Sequence, residues 1–153
     1  MTVWLYQMNA ERPLQDGSFY TPDDFREDVE SEEYLEWLTR EIRPKEMDPK
    51  AGDTILYWFV VSGTNQPGLY GLGVIFDCYE CLKYNTEYNC IYHLPVFPSE
   101  ILSDTPIYDD EIQEIVDEIR GNQKNFATMF AINDDYIQSL FARIQEESSL
   151  EEE

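Results

Sequence analysis

Basic residues are scarce in this chain. Ten Lys plus Arg stand against 32 Asp plus Glu, a formal net charge of −22 over 153 residues. Phosphate contacts supply most sequence-independent affinity for nucleic acid, so a surface this acidic repels a long duplex. Histidine occurs once and cysteine three times. A lone His, with no Gly-x-Ser-x-Gly, no Walker loop and no dinucleotide fingerprint, leaves few ways to assemble a familiar catalytic site. An odd number of cysteines does not suit a disulfide scaffold. No apolar run approaches the ~20 residues that a membrane-spanning helix needs. The opening Met1-Thr2-Val3-Trp4-Leu5-Tyr6 enters strand-like sequence at once, without a basic leader or small-residue cleavage site, so a cytoplasmic location is expected.

Apolar material is plentiful. Hydrophobic residues make up 42% and aromatics 14%, a globular composition despite the charge. The length fits one domain with a real core. No repeat or linker divides it, which predicts a single domain over 1–146 and an acidic flexible tail over 147–153. The acidity reads first as solubility, and also fits a protein that mimics nucleic acid. Composition does not separate the two.

Along the chain, Val3 to Met8 reads as a strand, and Thr21-Pro22-Asp23-Asp24 as a helix start with a capping Thr and Pro in the first turn. Ser31 is expected to cap a second helix with Tyr34, Leu35, Trp37, Leu38 and Ile42 as its apolar stripe, ended by Pro44. Lys50-Ala51-Gly52-Asp53 is a tight turn, and Thr54 to Val61 a mostly buried strand. Leu69 to Tyr79 is another strand, with Gly71 and Gly73 marking bulges or close backbone approach. Lys83 to Asn89 predicts a hairpin turn, with a returning strand over Cys90 to Phe97. Ile112, Ile115, Val116 and Ile119 have helical spacing; Phe126 to Ile132 is a short extended piece. Asp134 is expected to cap a last helix with Ile137, Leu140, Phe141 and Ile144 on one face. Strands dominating the middle, with helices after the first strand and at the end, suit a small α+β barrel.

Several segments, in the right order, resemble the EVE branch of the PUA-like family. They are the strand Trp4-Leu5-Tyr6-Gln7-Met8-Asn9, the insert carrying Trp37, the Gly-Asp strand Gly52-Asp53-Thr54-Ile55-Leu56-Tyr57-Trp58, Ser62-Gly63, the run Pro67-Gly68-Leu69-Tyr70-Gly71-Leu72-Gly73-Val74, and the closing Phe126 to Asp135. The Gly-Asp strand and the Pro-Gly-Leu-Tyr-Gly run are its specific parts. The resemblance implies a PUA-like small mixed β-barrel with helices inserted after the first strand and a C-terminal helix. It also implies a concave aromatic pocket for a modified nucleobase, such as a methylated base flipped from the helix. Such a base needs aromatic faces to stack on and a few hydrogen-bonding groups, and no charged catalytic group.

On that resemblance, Asn9 matches a polar position lining the pocket, and reads equally as a turn residue. Trp37 could stack on a base or belong to the core, and Trp58 reads as core. Ser62 and Gly63 begin the loop where the family makes backbone and hydroxyl contacts. Tyr70 could close the pocket or only pack on the barrel. Arg40, Arg43, Lys45 and Lys50 form a sparse basic patch beside Trp37, a candidate phosphate contact whose plainer reading is charge balance. Cys78, Cys81, Cys90 and His93, as C-x2-C-x8-C-x2-H, have zinc spacing. A hairpin turning at Asn85-Thr86 would set Cys81 opposite Cys90 and Cys78 opposite His93. Residues three apart on a strand point to opposite faces, so zinc is the lesser reading and no cofactor is expected. Acid pairs Asp109-Asp110 and Asp134-Asp135 read as helix starts.

The expected function is non-catalytic capture of a modified nucleobase of DNA or RNA. The alternatives are an acidic protein-interaction module or nucleic-acid mimic in a defence-type complex, and a small-molecule or nucleotide sensor using the same pocket.

Overall fold

A computed structural model describes residues 2–9, 19–39, 42–44, 47–60, 67–80, 92–101, 106–121 and 129–152. Its centre is a pair of parallel strands, β1 (Val3–Met8) and β4 (Thr54–Phe59), in register from Val3 with Thr54 to Met8 with Phe59. Antiparallel to β4 lies β5 (Gly68–Ile75), and antiparallel to β5 lies β7 (Tyr92–Ile101). The strands β2 (Leu35–Thr39) and β6 (Tyr79–Glu80) both pair with β7. On the far side of β1, β8 (Met129–Ala131) runs antiparallel to it, and β3 (Ile42–Arg43) runs parallel to β8. The order β2-β7-β5-β4-β1-β8-β3, with β6 as a branch on β7, makes a mixed half-barrel. With α1 (Pro22–Ser31), α2 (Asp110–Arg120) and α3 (Asp134–Glu152), this is the expected α+β architecture.

Period-two alternation builds two cores from one sheet. Trp4, Tyr6 and Met8 of β1, with Ile55, Tyr57 and Phe59 of β4, face the concave side, where Phe25 of α1 joins them. Val3, Leu5, Leu56 and Trp58 face the convex side, under Ile112 and Val116 of α2 and Leu140 and Ile144 of α3. A strand buried on both faces needs a continuous apolar run, and Ile55-Leu56-Tyr57-Trp58-Phe59 supplies it.

The helix ends follow their caps. Thr21 accepts from the Asp24 N–H while the Asp24 carboxylate accepts from the Thr21 N–H, a reciprocal box in front of α1. Asp109 caps α2 through the Ile112 N–H and is paired with Arg143 of α3; that guanidinium holds its carboxyl below the ordinary carboxylate range. At α3 the expected cap was Asp134, but the Asn133 side chain accepts from the Asp135 N–H, and Asp134 is the first helical residue. α3 runs on to Glu152, over the stretch read as an acidic tail.

The largest correction concerns residues 31 to 43. Ser31 ends α1 instead of capping a second helix, and the chain goes on into β2 and β3. Leu35 and Trp37 point inward with exposed Glu36 between them, the signature of a strand. Hydrogen bonding to β7 settles the conformation, because isolated helix propensity is a weak prior against a full ladder. One helix, not several, therefore follows the first strand among the described residues.

The Gly-Asp turn and the glycines of β5 are where the backbone is most constrained. Gly52 takes φ +96°, which lets the turn close with Asp53 N–H on the Lys50 carbonyl. The Asp53 carboxylate, only 4% exposed, accepts from the Thr2 N–H, the Lys50 N–H and the Trp4 indole N–H at 2.9–3.0 Å. It thereby ties the start of β1 to the turn before β4. At Gly73, where β5 shifts register against β7, an added Cβ would lie 2.6 Å from Val96 Cγ1 and 2.9 Å from the Phe97 carbonyl oxygen. Gly73→Ala is therefore expected to destabilise by about 1–3 kcal/mol through overpacking, measured by chemical denaturation. A neutral result would mean that β7 shifts without cost.

Candidate functional site

The concave face carries a cluster of aromatic rings. Trp37, on β2, crosses to the Tyr6–Tyr57 pair of neighbouring strands, with ring centroids 5.4 and 5.5 Å away. Tyr20 stands edge-on to it at 5.6 Å and Phe25 lies at 6.3 Å. Phe25 also contacts Tyr57 at 5.0 Å and Phe59 at 6.3 Å, and Phe59 meets Tyr70 at 4.8 Å. Tilted and edge-on geometries of this kind suit aromatic quadrupoles. Trp37 retains 9% exposure and Tyr70 only 2%.

The polar handles of Trp37, Tyr57 and Tyr20 are hydrogen-bonded. The Trp37 indole N–H donates to the Tyr57 hydroxyl at 3.0 Å, and the Tyr20 hydroxyl donates to Asp28 at 2.8 Å. Burial pushes the Tyr57 phenol well above its ordinary value, and burial together with the Asp28 carboxylate does the same to Tyr20. Both phenols stay neutral across the physiological range, so each offers a hydrogen bond without a charge. The chemistry available is stacking plus neutral hydrogen bonding.

Of the residues singled out in the sequence, Trp37 and Tyr70 both belong to this cluster, joined through Phe25 and Phe59. Trp37 is there as a strand residue, not on a helix stripe. Asn9 is exposed at the end of β1, beside Val60, whose N–H donates to the Met8 carbonyl. Because β1 and β4 are parallel, Asn9 and the chain leaving β4 emerge at the same end of the sheet. Ser62 and Gly63, further along that chain, lie outside the described residues, as do Arg40 and Lys45. Arg43 is half-buried on β3 and donates to the Ile42 carbonyl at 3.1 Å, and Lys50 is exposed in the Gly-Asp turn. Trp58 is fully buried on the convex face beside Tyr108, as core.

The Cys/His set is partly visible. Cys81 and Cys90 lie outside the described residues. Cys78 is half-buried and packs against the concave core. His93 pairs with Tyr79, not with Cys78, one residue off the hairpin register expected from sequence. A one-residue slip exchanges which side chains share a face, so the predicted Cys78–His93 pairing does not form. Among the described residues no cluster of His, Cys, Asp and Glu could hold a metal ion, and no helix is long and apolar enough to cross a membrane.

Four rings in contact with Trp37 lie outside the residues that the sequence marks as site candidates: Tyr6, Tyr20, Phe25 and Tyr57. Two were within reach, because Tyr6 alternates with Trp4 and Met8, and Tyr57 with Ile55 and Phe59, so the inward faces of β1 and β4 can be read by counting in twos. Tyr20 and Phe25 come from the segment entering α1 and the helix itself, and nothing local aims them at Trp37.

No protein-family model and no curated protein matches the chain. Solved structures do. A hypothetical protein from Leishmania major superposes with a TM-score of 0.65 at 14% identity, covering 97% of each chain. Human THYN1 protein, in complex with DNA containing 5-methylcytosine, superposes at 0.59 with 12% identity, over 94% of this chain and 98% of that one. The N-terminal domain of Thermococcus gammatolerans McrB, bound to m5C DNA, gives 0.51 and 13%, over 95% and 98%. At such identities the likeness is one of fold, and the fold is the PUA-like one anticipated from the EVE resemblance.

Proposed function

We propose that this domain is a non-catalytic module that captures a modified nucleobase of DNA or RNA, a methylated and flipped-out base foremost, on the aromatic cluster of its concave face. The observation that carries the reading is the cluster around Trp37, four rings from four separate elements joined by Tyr20 from the segment before α1, with neutral phenols among them. The fold it shares with two domains solved on methylcytosine DNA supports the same reading. Trp37 is the stacking face, and Tyr70 packs the end of the cluster. Asn9, exposed at the end of β1, supplies edge contacts, as do Ser62 and Gly63 on the family resemblance. Arg40, Arg43 and Lys45 give what phosphate help there is.

The charge sets the character of this binding. With 32 acidic residues against ten basic ones, little of the affinity comes from the backbone of the nucleic acid. Recognition rests on the base, and the salt dependence is shallow for a nucleic-acid binder.

Tryptophan fluorescence at low salt, titrated with single- and double-stranded oligonucleotides carrying cytosine, 5-methylcytosine or other modified bases, tests this. Saturable quenching by one modified oligonucleotide is the expected result. Response to free nucleosides alone would replace the reader with a nucleotide sensor. Silence across the panel from folded protein would remove nucleobase binding altogether.

A further inference from the structure

Among the described residues, the convex face of the sheet is only partly covered. α2 and α3 pack over Val3, Leu5, Leu56, Trp58, Leu69 and Phe130. Beyond them, where β5 meets β7, Val74 and Phe97 form a cross-strand pair that is 37% and 44% exposed. Phe76, just after β5, stacks on Phe97 with centroids 4.2 Å apart and planes 26° from parallel. Tyr34, just before β2, stands edge-on to Phe76 at 5.2 Å and to Phe97 at 6.3 Å. Phe76 is 37% and Tyr34 40% exposed. Scattered exposed hydrophobes are ordinary, but three rings and a valine in one contiguous patch are the mark of an interaction surface.

Its surroundings narrow the occupant. Glu32 and Glu33 precede Tyr34 and are exposed; Glu36 is exposed on the outward side of β2, since Leu35 and Trp37 beside it face inward. Asp77 follows Phe76 directly. Rings carry a negative π-face, so rings and carboxylates here favour the same sign of partner. A second copy of this chain, itself at −22, is repelled from such a face, and so are nucleic acid and an anionic membrane.

We propose that this patch docks a cationic polypeptide segment of a partner protein. Its Arg or Lys side chains lie over the rings of Tyr34, Phe76 and Phe97, with their charged ends toward Glu33 and Glu36, and its apolar residues cover Val74. Arg suits the role best, because its planar guanidinium stacks on rings while still pairing with carboxylates. The surface is on the opposite side of the sheet from the Trp37 cluster, so it does not depend on base capture.

The test is fluorescence anisotropy with a short labelled peptide of alternating Arg and Leu, and a second peptide with Glu in place of Arg. Any basic peptide is drawn to a chain this acidic, so the deciding comparison holds charge constant. Phe76→Ser with Phe97→Ser is expected to weaken the Arg peptide about ten-fold, the loss of two ring contacts. Tyr34→Ser, outside any strand, gives a smaller loss and serves if the double variant does not fold. Phe19→Ser, an exposed ring elsewhere, is expected to change nothing. Equal binding by all variants, or no binding by wild type, would overturn the proposal. So would concentration-dependent self-association that disappears in the double variant, which would make the patch a contact between copies of this chain.

Discussion

Asp53→Ala is expected to lower the free energy of unfolding by about 3–5 kcal/mol, because it strips one acceptor group from three donors at once. The carboxylate is almost wholly buried, and it holds the Thr2 and Lys50 amides and the indole of Trp4. Trp4 has no solvent exposure, so its N–H has no water to turn to. Breaking such a node leaves the buried indole donor unsatisfied, at ~1–3 kcal/mol, and takes the acceptor from two part-buried amides, which add smaller amounts, less than additively. The damage then spreads, because Asp53 also sets the register of the parallel pair: the Thr54 N–H donates to the Thr2 carbonyl one step along. Asp53→Asn keeps one acceptor oxygen and is expected to lose about half as much. Urea denaturation followed by tryptophan fluorescence measures both. A loss below about 1 kcal/mol for the alanine variant would mean that water reaches the vacated site and satisfies the donors.

The parts of this fold legible in the sequence are those where a local requirement forces a residue type. The Gly52-Asp53 turn needs a glycine at positive φ, and the box at Thr21 and Asp24 announces the start of α1 from four consecutive residues. The closing helices were legible from apolar spacing at Ile112, Val116, Leu140 and Ile144. The segment around Trp37 was not. Tyr34, Leu35, Trp37 and Leu38 fit helical spacing as well as alternation, and only the ladder to β7 decides between them. The register of His93 is set by the β6–β7 ladder, which pairs it with Tyr79, where a turn centred on Asn85-Thr86 predicts Cys78. The parallel union of β1 with β4, separated by some forty-five residues of chain, has no local signal at all, yet it brings Tyr6 beside Tyr57 and aims both at Trp37. The candidate site was therefore legible as a set of aromatic residues and illegible as an arrangement.

If the proposed function holds, two substitutions in the Trp37 cluster move base binding in opposite directions. Trp37 is only 9% exposed, so a base that stacks on it must replace one of the rings already there. Tyr6 and Tyr57 are fixed by the central strand pair, and Phe25 is fully buried on α1. Tyr20 is the exception. It lies before α1 in no regular element, and it meets Trp37 edge-on, held by one hydrogen bond to Asp28. It is the ring whose departure costs least, and under the proposed function it is the one that an incoming base would displace. Tyr20→Ala is accordingly expected to tighten binding of the preferred modified oligonucleotide several-fold, by removing the competitor and the cost of displacing it. Trp37→Phe keeps an aromatic ring in the strand but loses area and the N–H to Tyr57; it is expected to weaken binding by about 1 kcal/mol, the low end of the range for outright loss of a stacking partner. Calorimetric titration of both variants against wild type, each first shown folded by its denaturation curve, separates the cases. Weaker binding in Tyr20→Ala would make Tyr20 a wall of the site instead of its occupant. Unchanged affinity in Trp37→Phe would place the base elsewhere and leave the cluster as core.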